Sequence, residues 1–160
     1  MDTEAKKKAL RSLTYGLYVL GSALGEEMAA GTVNWVSQAS FSPPLIMVAV
    51  KADSHIHSLI ERSLGFGLSV LSSEQKEIAS AFFRATQRDA DKINGYSFER
   101  GPQTGAPLLL ATPYWLEAHV LDSVRRGDHT IFVAEIVQAG VRQEKAKPLV
   151  MWDTGWFYGG

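Results

Sequence analysis

Two long strand-like segments near the C-terminus constrain the fold more than any other feature of this chain. The first segment runs from Tyr114 to Arg125 and the second from His129 to Val141. Only three residues, 126–128, separate them. Apolar and polar residues largely alternate from 116 to 124, which is typical of a strand with one face in the core. A connection this short joins antiparallel strands, so we predict a long β-hairpin.

Shorter strand-like segments precede and follow this hairpin. They are predicted at residues Tyr18–Leu24, 28–36, 45–50, 66–71 and 149–153. The first two form a second hairpin. The run at 45–50 is apolar without interruption, which predicts a strand buried on both faces.

Helices are fewer than strands in the predicted structure. They are expected at about 5–13, at 54–62 with Asp53 or Ser54 as N-cap, and at 73–83 with Ser73 as N-cap. The polar, glycine- and proline-containing stretch 84–107 is predicted to be a long ordered loop, with some helix around 90–94. This order of elements predicts an α+β fold, mainly β, built as an antiparallel barrel with helices attached.

Composition limits the class of protein. The chain has 160 residues, which fits a single domain over 1–160, and it contains no cysteine, which excludes disulfides and thiolate metal sites. With 16 basic and 17 acidic residues the net charge is -1, so no broad attraction to nucleic acid or anionic lipid is expected. The charged N-terminus is not followed by a long apolar segment, so we expect no signal peptide, no membrane span and a cytoplasmic protein.

The first segment that could carry chemistry is 32–44, where polar residues replace the apolar ones expected of a strand. Side chains such as Asn34, Gln38 and Ser40 can satisfy the carbonyls and nitrogens of a heterocycle, and Trp35 offers a flat apolar surface. A polar edge strand with its exit loop explains the same composition, and composition alone favours it.

The second segment, Lys51 to His57, directly follows the predicted buried strand. A helix that begins near Ser54 would direct its free amides toward the end of that strand, where a phosphate is favoured. An ordinary capped helix also accounts for these residues, and the segment alone favours it. His55 and His57 would point apart on a helix, so we predict no metal site.

The third segment is the hairpin turn, in which His129 begins the second strand after Gly127 and Asp128. Its imidazole can donate a hydrogen bond to an anion or a carbonyl. A polar strand end is the alternative. Nothing supports a hydrolase, because the serines of 32–44 lack a Gly-x-Ser-x-Gly context and no acidic pair stands out.

Together these segments resemble the flavin reductase-like family over about residues 10–158. The pattern of that family appears here as Thr32, Asn34 and Ser40, then Pro43-Pro44-Leu45, and later Gly127-Asp128-His129 before a β-branched strand. The resemblance implies an FMN-binding split β-barrel, a homodimer with the flavin near the subunit interface, and FMN in preference to FAD. It further implies NADH or NADPH as electron donor.

The resemblance also implies site residues. The flavin ring and ribityl chain would be lined by Thr32, Asn34, Trp35, Gln38, Ala39 and Ser40. The phosphate would be approached by Lys51, Ser54 and His57, and the catalytic residue His129 would sit near the flavin, where a nicotinamide lies. Trp35 either stacks on the flavin or restricts the face where the nicotinamide docks. The short segment after the last predicted strand leaves little material for a lid.

The function implied first is an NAD(P)H-dependent flavin reductase that transfers hydride from a nicotinamide to FMN. The alternative is an FMN electron-transfer protein without a nicotinamide site, reduced by a redox protein. A third possibility is a split-barrel module for haem or another flat ligand. NADH oxidation separates the first two, and the absorption spectrum identifies the third.

Overall fold

The computed structural model describes residues 1–159. Four helices lie at α1 Thr3–Arg11, α2 His55–Ser63, α3 Lys76–Ala81 and α4 Met151–Thr154. The strands are β1 Tyr18–Leu24, β2 Glu27–Val33, β3 Val36–Ser40, β4 Leu45–Lys51, β5 Gly65–Val70, β6 Arg88–Asp89, β7 Lys92–Ile93, β8 Tyr96–Arg100, β9 Pro107–Leu109, β10 Tyr114–Arg125 and β11 His129–Val141.

Seven strands form the main sheet in the order β2-β1-β5-β10-β11-β4-β3, and β6 to β9 form a second sheet of four. Every pair in the main sheet is antiparallel. The predicted long hairpin is confirmed as β10 and β11, with register shifts between Glu117 and Ala118 and between Val120 and Asp122. The expected fold, mainly antiparallel β with helices, is therefore confirmed at this level.

The main sheet is strongly curled, and its two edge strands are neighbours in sequence. β2 ends at Val33 and β3 begins at Val36, although they lie at opposite edges of the sheet. Three residue steps span at most about 11 Å of extended chain. The two edges therefore approach each other at this end, and the connection through Asn34 and Trp35 lies between them.

The core lies on both sides of the central strands. On one side, Leu59 and Ile60 of α2 pack with Leu20 of β1 and Phe66 of β5. On the other side, Ile78 of α3 belongs to a second cluster, together with residues of β1 and the small sheet. Apolar residues on both faces of β1 and on one face of β5 are removed from water in this way, which is the main driving force for the arrangement.

The strand at 45–50 was predicted to be buried on both of its faces, and this prediction is wrong. Residues 46, 48 and 50 are buried, whereas Leu45, Met47 and Ala49 are half-buried. The physical reason is that α2 covers one face of β4, while the other face is not covered by an equivalent layer within residues 1–159. Continuous apolarity predicted a covering layer but could not identify its source.

Three other local predictions differ from the structure. Residues 84–107 contain three strands of the small sheet, β6 to β8, and the first residue of the fourth, instead of a loop with helix. The third helix is shorter than 73–83 and is not capped by Ser73. Residues 73–74 form a turn after Ser72 bridges to Pro148, so the helix begins at Lys76 with Gln75 at the N-cap position. The strand predicted at 149–153 is α4, closed by a hydrogen bond from the Thr154 hydroxyl to the Met151 carbonyl at 2.7 Å.

Within residues 1–159, the helices are all too short or too polar to cross a bilayer.

Candidate functional site

A cleft of about 710 Å³ opens beside β2, the β4–α2 junction and the C-terminal segment. This volume lies within the range of about 300–1,000 Å³ that is typical of sites for small ligands and cofactors. Its walls include Gly31 and Ala49 from the strands, Phe83 from the end of α3, and Phe157 from the C-terminal segment. The cleft is therefore largely apolar, with polar groups at defined places.

One end of the cleft is formed by the start of α2. The Ser54 side chain accepts a hydrogen bond from the His57 amide at 3.2 Å and donates one to the Lys51 carbonyl at 2.7 Å. This cap fixes the first turn of the helix, while Lys51 and His55 line the cleft beside it. The helix dipole favours a bound anion at this end, and the Lys51 ammonium beside it is 3.2 Å from the Asp53 carboxylate.

The two histidines of this segment point in different directions, as expected of a helix. His55 lines the cleft, and its Nε2 lies 2.9 Å from Oε1 of Glu27. Hydrogen bonds from Arg62 and then His55 hold the pKa of Glu27 at about 2. His57 is buried, with its Nε2 2.7 Å from the hydroxyl of Thr130. Position 55, and not 57, therefore faces the site.

The connection between β2 and β3 places an unpaired amide in the cleft wall. Asn34 is only 5% exposed, and its Nδ2 has no hydrogen-bond partner among residues 1–159. Buried polar atoms are nearly always paired, so this donor is open to an acceptor that the described residues do not supply. Thr32 also lines the cleft, but its hydroxyl already donates to the Ala79 carbonyl at 2.7 Å.

His129 begins β11 and also lines the cleft, directly beside Lys51 of β4 in the sheet register. Its Nδ1 is 2.8 Å from Oδ1 of Asp128, and its Nε2 is 2.8 Å from the hydroxyl of Tyr158. The Trp35 ring packs on the imidazole at a centroid distance of 4.7 Å. The hydrogen bond from His129 lowers the pKa of Asp128, and burial raises the pKa of Tyr158.

The structure brings half of the predicted site residues together. The residues that line the cleft are Thr32, Asn34, Lys51, Ser54 and His129. The residues that do not line it in this chain are Trp35, Gln38, Ala39, Ser40 and His57. Beyond residue 34 the chain crosses to the other edge of the sheet, which carries Gln38 and Ala39 onto the exposed face of an edge strand.

Several lining residues were missed by the sequence interpretation. Arg84 and Thr86 follow α3, and Trp156, Phe157 and Tyr158 lie in the C-terminal segment. The expectation that little material covers the site is therefore wrong, because this segment folds back over the cleft. The only sequence signal was the density of aromatic residues beside glycines at 155–160.

Comparison with known proteins identifies the family. The model of the flavin reductase like domain matches residues 10–160. The NADH-dependent flavin reductase StyB of Pseudomonas fluorescens is 30% identical over 95% of this chain and 87% of its own length. The high molecular weight rubredoxin of Moorella thermoacetica is 33% identical over 88% of this chain, which spans 60% of that protein.

A solved structure agrees with the sequence comparisons. BorF, the flavin reductase component of a bacterial two-component tryptophan halogenase, superposes with a TM-score of 0.81 at 30% identity. The match covers 99% of this chain and 98% of BorF. The fold, the cleft and these similarities lead to one conclusion: the chain belongs to the family of flavin reductase-like domains.

Proposed function

We propose that this protein is an NAD(P)H-dependent flavin reductase. The observation that carries the proposal is the cleft itself, which brings an anion-favouring helix start, the unpaired Asn34 amide and His129 to one apolar surface. A flavin has matching groups, namely a phosphate, an acceptor-rich ring edge and a flat apolar face. The similarity to StyB and BorF supports the same activity.

The residues present fit a flavin mononucleotide. Lys51 and the first turn of α2 would hold the phosphate, and the Asn34 amide would donate to an acceptor of the ring or ribityl chain. When bound, the flavin accepts a hydride from the nicotinamide and, with one proton, is reduced while NAD(P)H becomes NAD(P)⁺. The single anion-favouring end supports FMN in preference to FAD.

His129 would act on the nicotinamide side. Its Nδ1 is held by Asp128, so a neutral ring keeps its proton there and presents Nε2 as an acceptor. The carboxamide of a nicotinamide carries both a donor and an acceptor, so it can pair with this nitrogen. Positioning of this kind stabilises the hydride-transfer arrangement more than flavin binding alone.

The experiment that tests the function is anaerobic mixing of the flavin-loaded protein with NADH or NADPH, followed by flavin absorbance. Bleaching with stoichiometric oxidation of the nicotinamide is expected. An FMN electron carrier would keep its flavin oxidised with both nicotinamides and would be reduced only by a redox protein. A haem-type spectrum of the purified protein would contradict both readings.

A homodimer is proposed from the uncovered face of the main sheet. Met47 of β4 lies beside Val133 of β11 on this face, and both are only half-buried. Ile131 and the 43%-exposed Val124 extend the same apolar surface onto β10. A patch of this kind requires cover in water, and a second copy of the chain would supply it symmetrically.

Light scattering of the wild-type protein is expected to give the mass of a dimer. Val133→Asp places a charge in the centre of this face and should yield monomers. Val141→Asp, at the far end of the same strand, is the matched control and should remain dimeric. A monomeric wild-type protein with flavin bound would contradict the proposal.

We also infer that residues 1–160 form one domain and that the curled sheet is the split barrel implied by the resemblance. The short connection between the two edge strands supports this architecture. A single cooperative thermal transition is expected, and two separate transitions would contradict one domain. The cytoplasmic location remains a prediction, which subcellular fractionation of the tagged protein would check.

A further inference from the structure

Residues 155–159, termed the C-terminal tail, fold back across the cleft from a well-fixed base. At this base the Lys76 ammonium donates to the Thr154 carbonyl at 2.6 Å and lies 4.7 Å from the centre of the Trp156 ring. The Trp156 amide donates to the Thr154 hydroxyl at 3.0 Å. Gly155, at a φ of 72°, redirects the chain between these two residues. The base is therefore held by several independent contacts.

The tip of the tail is held more weakly than its base. Phe157 and Tyr158 are 59% and 46% exposed, so little apolar surface would be uncovered if they moved. The contacts of the tip include the hydrogen bond from Tyr158 to His129 at 2.8 Å and a tilted packing against Trp35 at 5.3 Å. Arg11 also lies 4.6 Å from the Phe157 ring.

The Tyr158 hydroxyl is hydrogen-bonded to Nε2 of His129, which is the nitrogen that would pair with the nicotinamide. Asp128 engages Nδ1, so both ring nitrogens are paired while the tail lies on the cleft. The side chain of His129 is only 12% exposed in this arrangement. A nicotinamide carboxamide can reach Nε2 only by displacing the Tyr158 hydroxyl.

We propose that Tyr158 is the gate residue of the nicotinamide site, and that the tip of the C-terminal tail moves away when the dinucleotide binds. This inference rests on the proposed function and adds a residue that controls access of the substrate. Tyr158 is a positioning residue in this role, because it acts through His129. The tail closes the site between turnovers and competes with the nicotinamide for the same hydrogen bond.

The kinetic test is Tyr158→Phe, which removes the hydroxyl and keeps the ring. A substrate that binds only when the tail is open has an apparent affinity that is reduced by the fraction of protein with the tail closed. Loss of the hydrogen bond between Tyr158 and His129 should therefore lower KM for NADH about 2- to 12-fold. The kcat and the Kd for FMN should stay near their wild-type values. Tyr114→Phe is the matched control, since it removes a hydroxyl bonded to the Ala146 carbonyl outside the cleft.

A second measurement follows the tail directly. Amide hydrogen exchange of residues 156–159 is compared in the FMN-loaded wild-type protein with and without NAD⁺, which does not react with oxidised flavin. Exchange should accelerate when NAD⁺ is present. Unchanged or slower exchange would overturn the gate, because the tail would then remain in place beside the bound dinucleotide.

The outcomes separate this inference from the proposed function. If the wild-type protein oxidises NADH but Tyr158→Phe has an unchanged or raised KM for NADH, the gate is wrong and the reductase stands. If the wild-type protein fails to oxidise either nicotinamide, the reductase and the gate are both wrong. A lowered KM in Tyr114→Phe as well would show that the effect is not specific to Tyr158, and would also overturn the gate.

Discussion

The unpaired amide of Asn34 allows flavin binding to be separated from folding by one substitution. Its Nδ2 has no partner among residues 1–159, so Asn34→Ala removes no hydrogen bond of this donor within the chain. Removing a buried donor that has no partner should stabilise the protein by about 1–3 kcal/mol. A typical substitution destabilises a protein by about 1 kcal/mol. These terms oppose each other and leave a net gain of about 0–2 kcal/mol, so the melting temperature should stay the same or rise by no more than about 8 °C.

Flavin affinity should respond much more strongly. In Asn34→Ala the flavin acceptor that faces this amide would be buried without a donor, which costs about 1–3 kcal/mol. This corresponds to a Kd raised about 5- to 150-fold. The assay is titration of the apoprotein with FMN, followed by quenching of flavin fluorescence, together with thermal unfolding of the same apoprotein.

Asn94 provides a matched control, because it is a buried asparagine with satisfied hydrogen bonds. It is 3% exposed, its Oδ1 accepts from the Gln87 amide at 2.7 Å, and its Nδ2 donates to the Ala81 carbonyl at 3.0 Å. Its φ of 49° also disfavours alanine. Asn94→Ala should lose about 2–4 kcal/mol of stability with its FMN affinity within about twofold of wild type.

The opposite pattern would refute the reasoning. If Asn34→Ala unfolds as early as Asn94→Ala and binds FMN with unchanged affinity, the Asn34 amide serves the fold and not the ligand.

Three further predictions concern other parts of the site and its supports. His129→Ala should slow reduction of bound FMN by NADH about tenfold to a hundredfold in stopped-flow experiments; an unchanged rate with a lowered melting temperature would make His129 structural. Because its folded pKa is lowered to about 2 from 4.5, Glu27 stabilises the protein above pH 4.5 and loses this effect as the pH falls through 2. The difference in melting temperature between wild type and Glu27→Gln should therefore shrink on acidification, whereas Glu74→Gln, which removes an exposed carboxylate elsewhere, should show no such trend. Apoprotein should bind FMN more tightly than FAD, and FAD binding about tenfold tighter would contradict this.

The elements that the sequence predicted well are those encoded by local pattern. The hairpin of β10 and β11 follows from alternation and a short connection, and the Ser54 cap follows from local hydrogen-bonding chemistry. The opposite directions of His55 and His57 follow from helical periodicity alone. Such features depend on neighbours a few residues away, so one sequence contains all the information they require.

The failures arise where distant segments decide the outcome. Between residues 84 and 107, short strands pair with one another in a small sheet, and no local pattern distinguishes such strands from a loop. The apolar run at 45–50 predicted a buried strand, but the number of faces covered depends on layers supplied from elsewhere. Likewise, Ser73 is a suitable N-cap by residue type, yet the bridge between Ser72 and the distant Pro148 holds this segment, and the helix begins only at Lys76.

The candidate site shows the same division. The sequence alone identified Asn34, Lys51, Ser54 and His129 as candidates, because their residue types and order carry the resemblance to the family. Only the tertiary structure showed that the chain leaves the cleft after Asn34, and that Tyr158 of the C-terminal segment contacts His129. That contact joins residues 29 positions apart, so no local pattern in the sequence encodes it.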